Sequence, residues 1–284
     1  LIKFLLVHTT VHPLFWLILA AGLITGHLWE AIIAFFIVLI HEWGHAAAAY
    51  LFGWKIIKIE LLPFGGVAQI DENVDHPFWQ ECLVILAGPL QHLLLPILSL
   101  SFFALPFWGA PEQHIFINQN SAILLFNLLP IWPLDGGRLL HLILQRCYPF
   151  RAAYKKVLSF SFVALCLLSV FVFFLFPYSL NLWVVLSFLG LSLYKERRAI
   201  AVHFLRFLLK MAHQKRQFSI VRHVTVQPET PLSEVFATFY RQSSHRVYIE
   251  GHALPPLDGQ KMVAAFFAGR CSGNTIEDCR AAFL

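Results

Sequence analysis

Charge is what this sequence has least of. Asp, Glu, Lys and Arg make up 13% of its 284 residues, where a soluble chain carries roughly 25%. An ordinary soluble enzyme is therefore excluded. Disorder is excluded too, because a disordered chain is polar and poor in aromatics, whereas this one is 58% hydrophobic with 28 Phe and 8 Trp. Cysteine is scarce. The five present (Cys82, Cys147, Cys166, Cys271, Cys279) are odd in number and form no Cys-x-x-Cys pair, so a disulfide framework is not expected. Gly and Pro stand at only 15 each, with no repeat and no low-complexity tract, which excludes a collagen-like chain. A separate cleavable leader is not expected. What remains is a polytopic membrane protein.

The few charges are unevenly placed. Residues 1–194 carry 8 basic and 9 acidic residues, whereas residues 195–284 carry 13 and 7. A nearly uncharged two-thirds thus precedes a basic third. A spanning helix needs about 20 mostly apolar residues. Six stretches qualify, near 12–28, 30–52, 80–105, 115–134, 157–177 and 179–194. The second and fourth also hold His, Glu and Asn, which lipid disfavours by a few kcal/mol when ionised. In a six-span chain both termini share one side. The three loops facing the other side contain no Lys or Arg, which puts both termini in the cytosol.

Between the second and third spans, Lys55–Leu62 and Val67–Ile70 read as two short strands around a Gly65-Gly66 turn, before an acidic stretch (Asp71, Glu72, Asp75). An open strand edge cannot face lipid. This hairpin is expected at the membrane, lining a cavity. Residues 195–217 read as a basic amphipathic helix leaving the membrane, or as a plain linker helix on an anionic surface. Residues 218–284 read as a small α/β domain, with strands at Val221–Val226 and Val247–Ile249 and helices at Pro231–Arg241 and Gly259–Phe267. The expected fold is an α-helical polytopic membrane protein of about six transmembrane helices, with a membrane-associated β-hairpin and a C-terminal α/β domain.

The chemistry lies in the second span, at His41-Glu42-Trp43-Gly44-His45. Two histidines four apart sit on one helix face, one turn above the other. Both imidazoles can reach a single tetrahedral metal, and the Glu between them can take a proton from water beside it. The five-residue pattern recurs by chance, but inside a membrane helix every polar group needs a reason. A hydrolytic zinc site requires a third protein ligand and one open position. Asp135 is the candidate, being the only acidic residue between Glu112 and Glu196. It lies in Asn127-Leu-Leu-Pro-Ile-Trp-Pro-Leu-Asp-Gly-Gly. There Pro130 and Pro133 are expected to break the fourth helix, and Gly136 and Gly137 to allow close approach to the second. His8, His12, His27, His114 and His141 lie mostly near span ends or loops, where a wet or capping histidine is commoner than a ligand. Among the rest His92, in the third span, is the best candidate for a place behind the ligands.

These residues, with the LLPFGG run at 61–66 and the AGPLQH run at 87–92, resemble the site-2 protease family of intramembrane zinc metalloproteases, and its sporulation branch in particular. The resemblance implies zinc held by His41, His45 and Asp135. It implies Glu42 as general base and then proton donor, and Asn127 holding the substrate backbone or the developing oxyanion; a plain helix-packing hydrogen bond is the other reading of Asn127. It further implies a sporulation sigma-factor precursor as substrate and inhibitory partner proteins in the membrane. The implied location is the mother-cell membrane around the forespore. No nucleic-acid partner is expected.

In the tail, Val224-Thr-Val-Gln-Pro-Glu-Thr-Pro-Leu-Ser-Glu-Val-Phe resembles the opening of a cystathionine-β-synthase (CBS) module. Such modules work in pairs and often bind adenine nucleotides, which implies ATP binding and a homo-oligomer formed through this domain. The ribose-binding pattern is blurred here into Leu257-Asp258-Gly259-Gln260, so a docking or dimer surface without nucleotide stays open. The expected division is a metalloprotease domain at 1–194, a basic helix at 195–217 and the CBS-like domain at 218–284. Two other functions use the same residues: a metal or proton transporter, and a membrane receptor that reads nucleotide through the tail.

Overall fold

The computed structural model of the chain describes residues 5, 7–62, 65–70, 76–213, 220–251, 255–271 and 273–280. These fall into two units. The first comprises Leu1–Leu139 with Phe176–Val185, the second Leu140–Leu175 with Leu186–Leu284.

The first unit opens with β1 (Thr9–Val11), α1 (Pro13–Thr25) and α2 (Leu28–Leu51). Helix α2 ends in a Schellman motif. Gly53 takes the left-handed conformation at φ +73°, its N–H donates to the Tyr50 carbonyl, and that of Trp54 donates to Ala49. A residue without Cβ adopts this geometry without steric cost. Strands β2 (Ile56–Leu62) and β3 (Gly65–Ile70) follow. They pair antiparallel, with Leu61 opposite Gly66 and Leu62 opposite Gly65. Gly65 and Gly66 are thus strand residues rather than the turn; residues 63–64, and the acidic stretch at 71–75, lie outside the described residues. Strand β1 adds in parallel to β2, setting Thr9 against Ile59.

Helix α3 (Phe78–Ser99) runs into a 3-10 turn (Leu100–Ala104), and α4 (Ala110–Asn127) follows. At the start of α4, the Gly109 N–H donates to the Glu112 carboxylate at 2.9 Å, satisfying one of the orphan N–H groups of the first turn. Pro130 and Pro133 lie in the non-helical stretch after Asn127, and α5 (Asp135–Cys147) starts at Asp135 itself. Helix α2 packs against α1, α3 and α4. Ile33, Ile37, Leu95 and Phe116 form one buried cluster, and Ala46, Ala49, Trp54, Ile59 and Val84 form another.

The second unit contains α6 (Phe150–Leu175), most of α7 (Leu180–His213), and the C-terminal elements. Among the described residues three stretches are long and apolar enough to cross a membrane: Leu28–Leu51, Phe78–Ala104 and Phe150–Leu175. Helix α1 has 13 residues, about 20 Å at 1.5 Å per residue, short of a bilayer core of about 30 Å. Helix α4 is diluted by Gln113, Asn118, Gln119 and Asn120. In α7 the apolar run gives way to Lys195, Glu196, Arg197 and Arg198 without interrupting the helix, which continues to His213. Phe160, Phe162, Phe171, Phe173 and Phe174 are all exposed on α6, as a lipid-facing helix surface requires.

The C-terminal elements are β4 (Val221–Val226), α8 (Leu232–Ala237), β5 (Ser244–Ile249), β6 (Leu257–Asp258), α9 (Gly259–Phe267) and α10 (Ile276–Arg280). Strands β4 and β5 are parallel, and β6 adds antiparallel. Asp258 caps α9, accepting from the Gln260 N–H at 2.9 Å. Leu208 and Met211 of α7 belong to the same buried core as Phe236, Phe239, Val247 and Met262. Apolar residues at a spacing of three lie on one helix face, so this part of α7 is a wall of the domain core. Arg241 donates to the Gln145 side chain at 3.1 Å, and the Phe150 N–H donates to the Phe239 carbonyl. A disulfide joins Cys271 and Cys279, where the sequence pattern suggests none.

Candidate metal centre

His41 and His45 lie one turn apart on α2, as their spacing requires. Their Nε2 atoms are 3.0 Å apart. Asp135, the first residue of α5, brings its Oδ2 within 3.0 Å of His41 Nε2 and 3.2 Å of His45 Nε2. All three side chains are buried, at 3%, 6% and 6% exposure. Glu42, exposed by 6%, is close enough for its charge to act on His45. Asn127 is the last residue of α4 and is half-buried; the turn at 128–134 separates it from Asp135.

The proton positions follow from the surrounding hydrogen bonds. His45 Nδ1 faces the Val84 carbonyl at 2.8 Å. A carbonyl only accepts, so Nδ1 carries the proton and Nε2 keeps its lone pair. His41 Nδ1 faces His92 Nε2 at 3.0 Å, and its own Nε2 turns to the cluster. Asp135 Oδ2 is buried and accepts no hydrogen bond. His45 Nε2 and Asp135 Oδ2 thus converge as acceptors with His41 Nε2 beside them, an arrangement that a bound cation stabilises.

Zinc fits this donor set. Ligand atoms bound to tetrahedral zinc at about 2.0–2.1 Å stand about 3.3–3.4 Å from one another, and the three separations here are within a few tenths of that. Two imidazoles and one carboxylate leave one position of the tetrahedron open, the pattern of a hydrolytic site. Among the described residues this is the one group of three or more His, Cys, Asp or Glu side chains arranged to hold a metal.

Two packing features make the convergence possible. A Cβ on Gly88 would stand 2.5 Å from His45 Cε1 and nearer still to Nε2, so the glycine of the AGPLQH run leaves the space that the imidazole fills. Gly136 and Gly137 permit a different approach from the expected one. Added Cβ atoms would strike Leu129 O at 2.5 Å and Trp132 N at 2.5 Å. These glycines therefore seat the first turn of α5 on the 128–132 turn rather than on α2. What sequence reasoning missed is Asn120. Its Oδ1 lies 2.8 Å from His92 Nδ1 and its Nδ2 donates to the His92 carbonyl at 2.9 Å.

The comparisons with known proteins agree with this geometry. The profile of peptidase family M50 matches residues 29–118 and 112–169. Stage IV sporulation protein FB of Bacillus subtilis (strain 168) is 38% identical over 271 residues, covering 94% of each chain. A zinc metalloprotease of Methanocaldococcus jannaschii is 38% identical over 127 residues, 44% of this chain and 37% of that protein. Among solved structures, the site-2 protease from Methanocaldococcus jannaschii superposes with a TM-score of 0.52 at 27% identity, over 66% of this chain and 89% of that one. With buried histidines and a carboxylate meeting inside an apolar helical unit, the chain belongs to peptidase family M50 and is an intramembrane zinc metalloprotease of the site-2 protease type.

Proposed function

We propose that His41, His45 and Asp135 hold the zinc, that Glu42 is the general base and that the substrate is the precursor of a sporulation sigma factor, from which a prosequence is removed. The observation that carries the site assignment is the convergence of the two Nε2 atoms and Asp135 Oδ2 within 3.0–3.2 Å of one another. The substrate assignment is supported by likeness along 94% of the chain to a sporulation protein.

Zinc held there would polarise the scissile carbonyl as a Lewis acid and lower the pKa of a water it binds to about 7. The chain supplies the rest. The Glu42 carboxylate takes the proton of the attacking water and delivers it to the leaving amide nitrogen, so that one group serves both proton transfers. The Asn127 side-chain amide donates to the oxygen that gains negative charge. Burial of His41, Glu42, His45 and Asp135 keeps bulk water away and strengthens both interactions.

We read the membrane part, residues 1–194, as six spans with both termini in the cytosol, since all Lys and Arg fall on that side of such an arrangement. The metal then lies within the membrane, displaced toward the cytosol, and water and substrate enter from there. The forespore-surrounding membrane and membrane-embedded inhibitory proteins belong to the same reading. Residues 195–217 connect to a CBS-like domain at 218–284, whose parallel β4–β5 pair and capped α9 are the elements on which ATP or a second copy would dock.

Co-expression tests this. The precursor sigma factor is produced with the chain and, separately, with its Glu42→Gln variant at matched levels. Shortening of the precursor by wild type alone is the expected result. Shortening by both removes Glu42 from the chemistry, and shortening by neither rejects the substrate.

A further inference from the structure

We infer that Asn120 and His92 form an orienting arm behind the metal centre, which fixes the proton and the aim of His41. The inference rests on the proposal that His41 is a zinc ligand.

The arm starts from a proline. In an α-helix the carbonyl of residue i accepts the N–H of residue i+4. For His92 that residue is Pro96, which lies inside α3 and has no N–H to give. The His92 carbonyl is therefore orphaned in an apolar interior, where an unpaired carbonyl is costly. Asn120 of α4 satisfies it, its Nδ2 donating at 2.9 Å. That bond settles which way the amide of Asn120 points. Oδ1 is left facing His92 Nδ1 at 2.8 Å, and an amide oxygen only accepts. His92 Nδ1 must then carry the proton, and His92 Nε2 must be the acceptor of the neutral imidazole. Its partner at 3.0 Å is His41 Nδ1, which is accordingly the protonated nitrogen of that ring. The lone pair of His41 is thereby assigned to Nε2, the atom that faces Asp135.

Each link is buried. His92 is 1% exposed and Asn120 2%, so water does not replace either partner. The arm parallels the Val84 carbonyl that holds His45 Nδ1, but it ends in a side chain rather than in backbone. A hydrogen bond accepted from the distal nitrogen of a ligating histidine fixes its tautomer and raises its basicity, and removing such a partner weakens metal binding about 10–100-fold. His92 and Asn120 are positioning residues, since neither reaches the metal position.

The test uses the full chain in detergent micelles. Zinc affinity is read by competition with a chromophoric chelator, and the visible spectrum is read with cobalt in place of zinc. The melting temperature of each metal-free protein is recorded alongside. His92→Leu is expected to weaken zinc about 10–100-fold and to move the cobalt bands, while the metal-free protein, though less stable for the loss of partners to Asn120 Oδ1 and His41 Nδ1, still melts cooperatively. His92→Gln restores both readings, because a glutamine oxygen reaches the Nε2 position and accepts from His41 Nδ1. Asn120→Leu weakens zinc in the same range, and the double variant His92→Leu/Asn120→Leu is no weaker than the poorer single, since both act through one bond. Unchanged zinc affinity in His92→Leu and Asn120→Leu, with zinc lost in His41→Ala, overturns the arm and leaves the ligand assignment standing. Zinc retained in His41→Ala overturns the ligand assignment, and the arm with it. Failure of His92→Gln to rescue reduces His92 to a packing residue.

Discussion

Replacing Gly88 by Ala inserts a single methyl group against the imidazole of His45, a proposed zinc ligand. The new Cβ would stand 2.5 Å from His45 Cε1 and 2.8 Å from Cδ2, whereas carbon atoms rest at about 3.5–4.0 Å. Relief requires the ring to withdraw by about 1 Å. Its Nδ1 is tied at 2.8 Å to the carbonyl of Val84, one turn before Gly88 on α3, so withdrawal also strains that bond. A metal–nitrogen bond of about 2.0–2.1 Å does not survive a displacement of that size. Zinc affinity should therefore fall at least about 100-fold, or about 2.7 kcal/mol, and proteolysis should fall with it, since a 1 Å misplacement alone costs about 100-fold. The control is Gly190→Ala in α7, where the new Cβ meets only Leu165 Cδ2 at 3.9 Å. That change should leave activity intact and raise stability slightly, as Gly→Ala does inside a helix. Zinc content by plasma mass spectrometry and precursor cleavage are measured on both purified variants. Full zinc occupancy and wild-type cleavage in Gly88→Ala would refute the argument that the glycine holds room for His45.

Asp135→Ala should lose zinc as His41→Ala does while its helices persist, checked by metal content against circular dichroism. Buried His245, exposed by 1%, accepts the Tyr240 N–H; burial first, and then the Arg222 charge, push its pKa down from 6.5 to about 4. The unfolded chain then binds the extra proton between those values, so His245 contributes stability above pH 6.5 that is lost as pH falls toward 4. The loss is about 3 kcal/mol, and His245→Gln should flatten it in urea titrations across that range. Phe116→Ala empties a site that is 0% exposed. The cost should be about 3 kcal/mol, the low end of the core range, because lipid solvates a phenyl ring as well as the interior does; thermal unfolding in micelles measures it.

The parts of the chain that sequence reading placed well are those whose cause is local. The two-histidine face of α2 follows from 3.6 residues per turn, and the break after Asn127 follows from Pro130 and Pro133. Helix α9 at Gly259–Phe267 begins at an N-capping Asp258. Elements set by distant partners were not legible. Strand β1 exists because Thr9–Val11 finds an edge at Ile59–Leu61, and three residues carry no such instruction by themselves. Gly65 and Gly66 read as a turn because glycine favours turns, yet pairing with Leu61 and Leu62 draws them into a strand. The stretch from Lys195 reads as an amphipathic helix leaving the membrane, but what covers its apolar face is set by distant residues: Leu208 and Met211 pack into a core contributed by residues 232–279.

For the active site the division has the same cause. Sequence alone determined the chemistry on offer: a membrane-embedded pair of histidines, a glutamate between them, and one isolated aspartate after a proline-broken helix. Those are matters of composition and period, and they travel with the chain in any conformation. Only the tertiary structure decided that Asp135 Oδ2 meets both imidazoles, that Gly88 clears the space for one of them, and that Pro96 passes an unmet hydrogen bond through Asn120 and His92 to the other. A lone pair is aimed by whatever holds the far side of its ring, and for His41 that partner is 51 residues away.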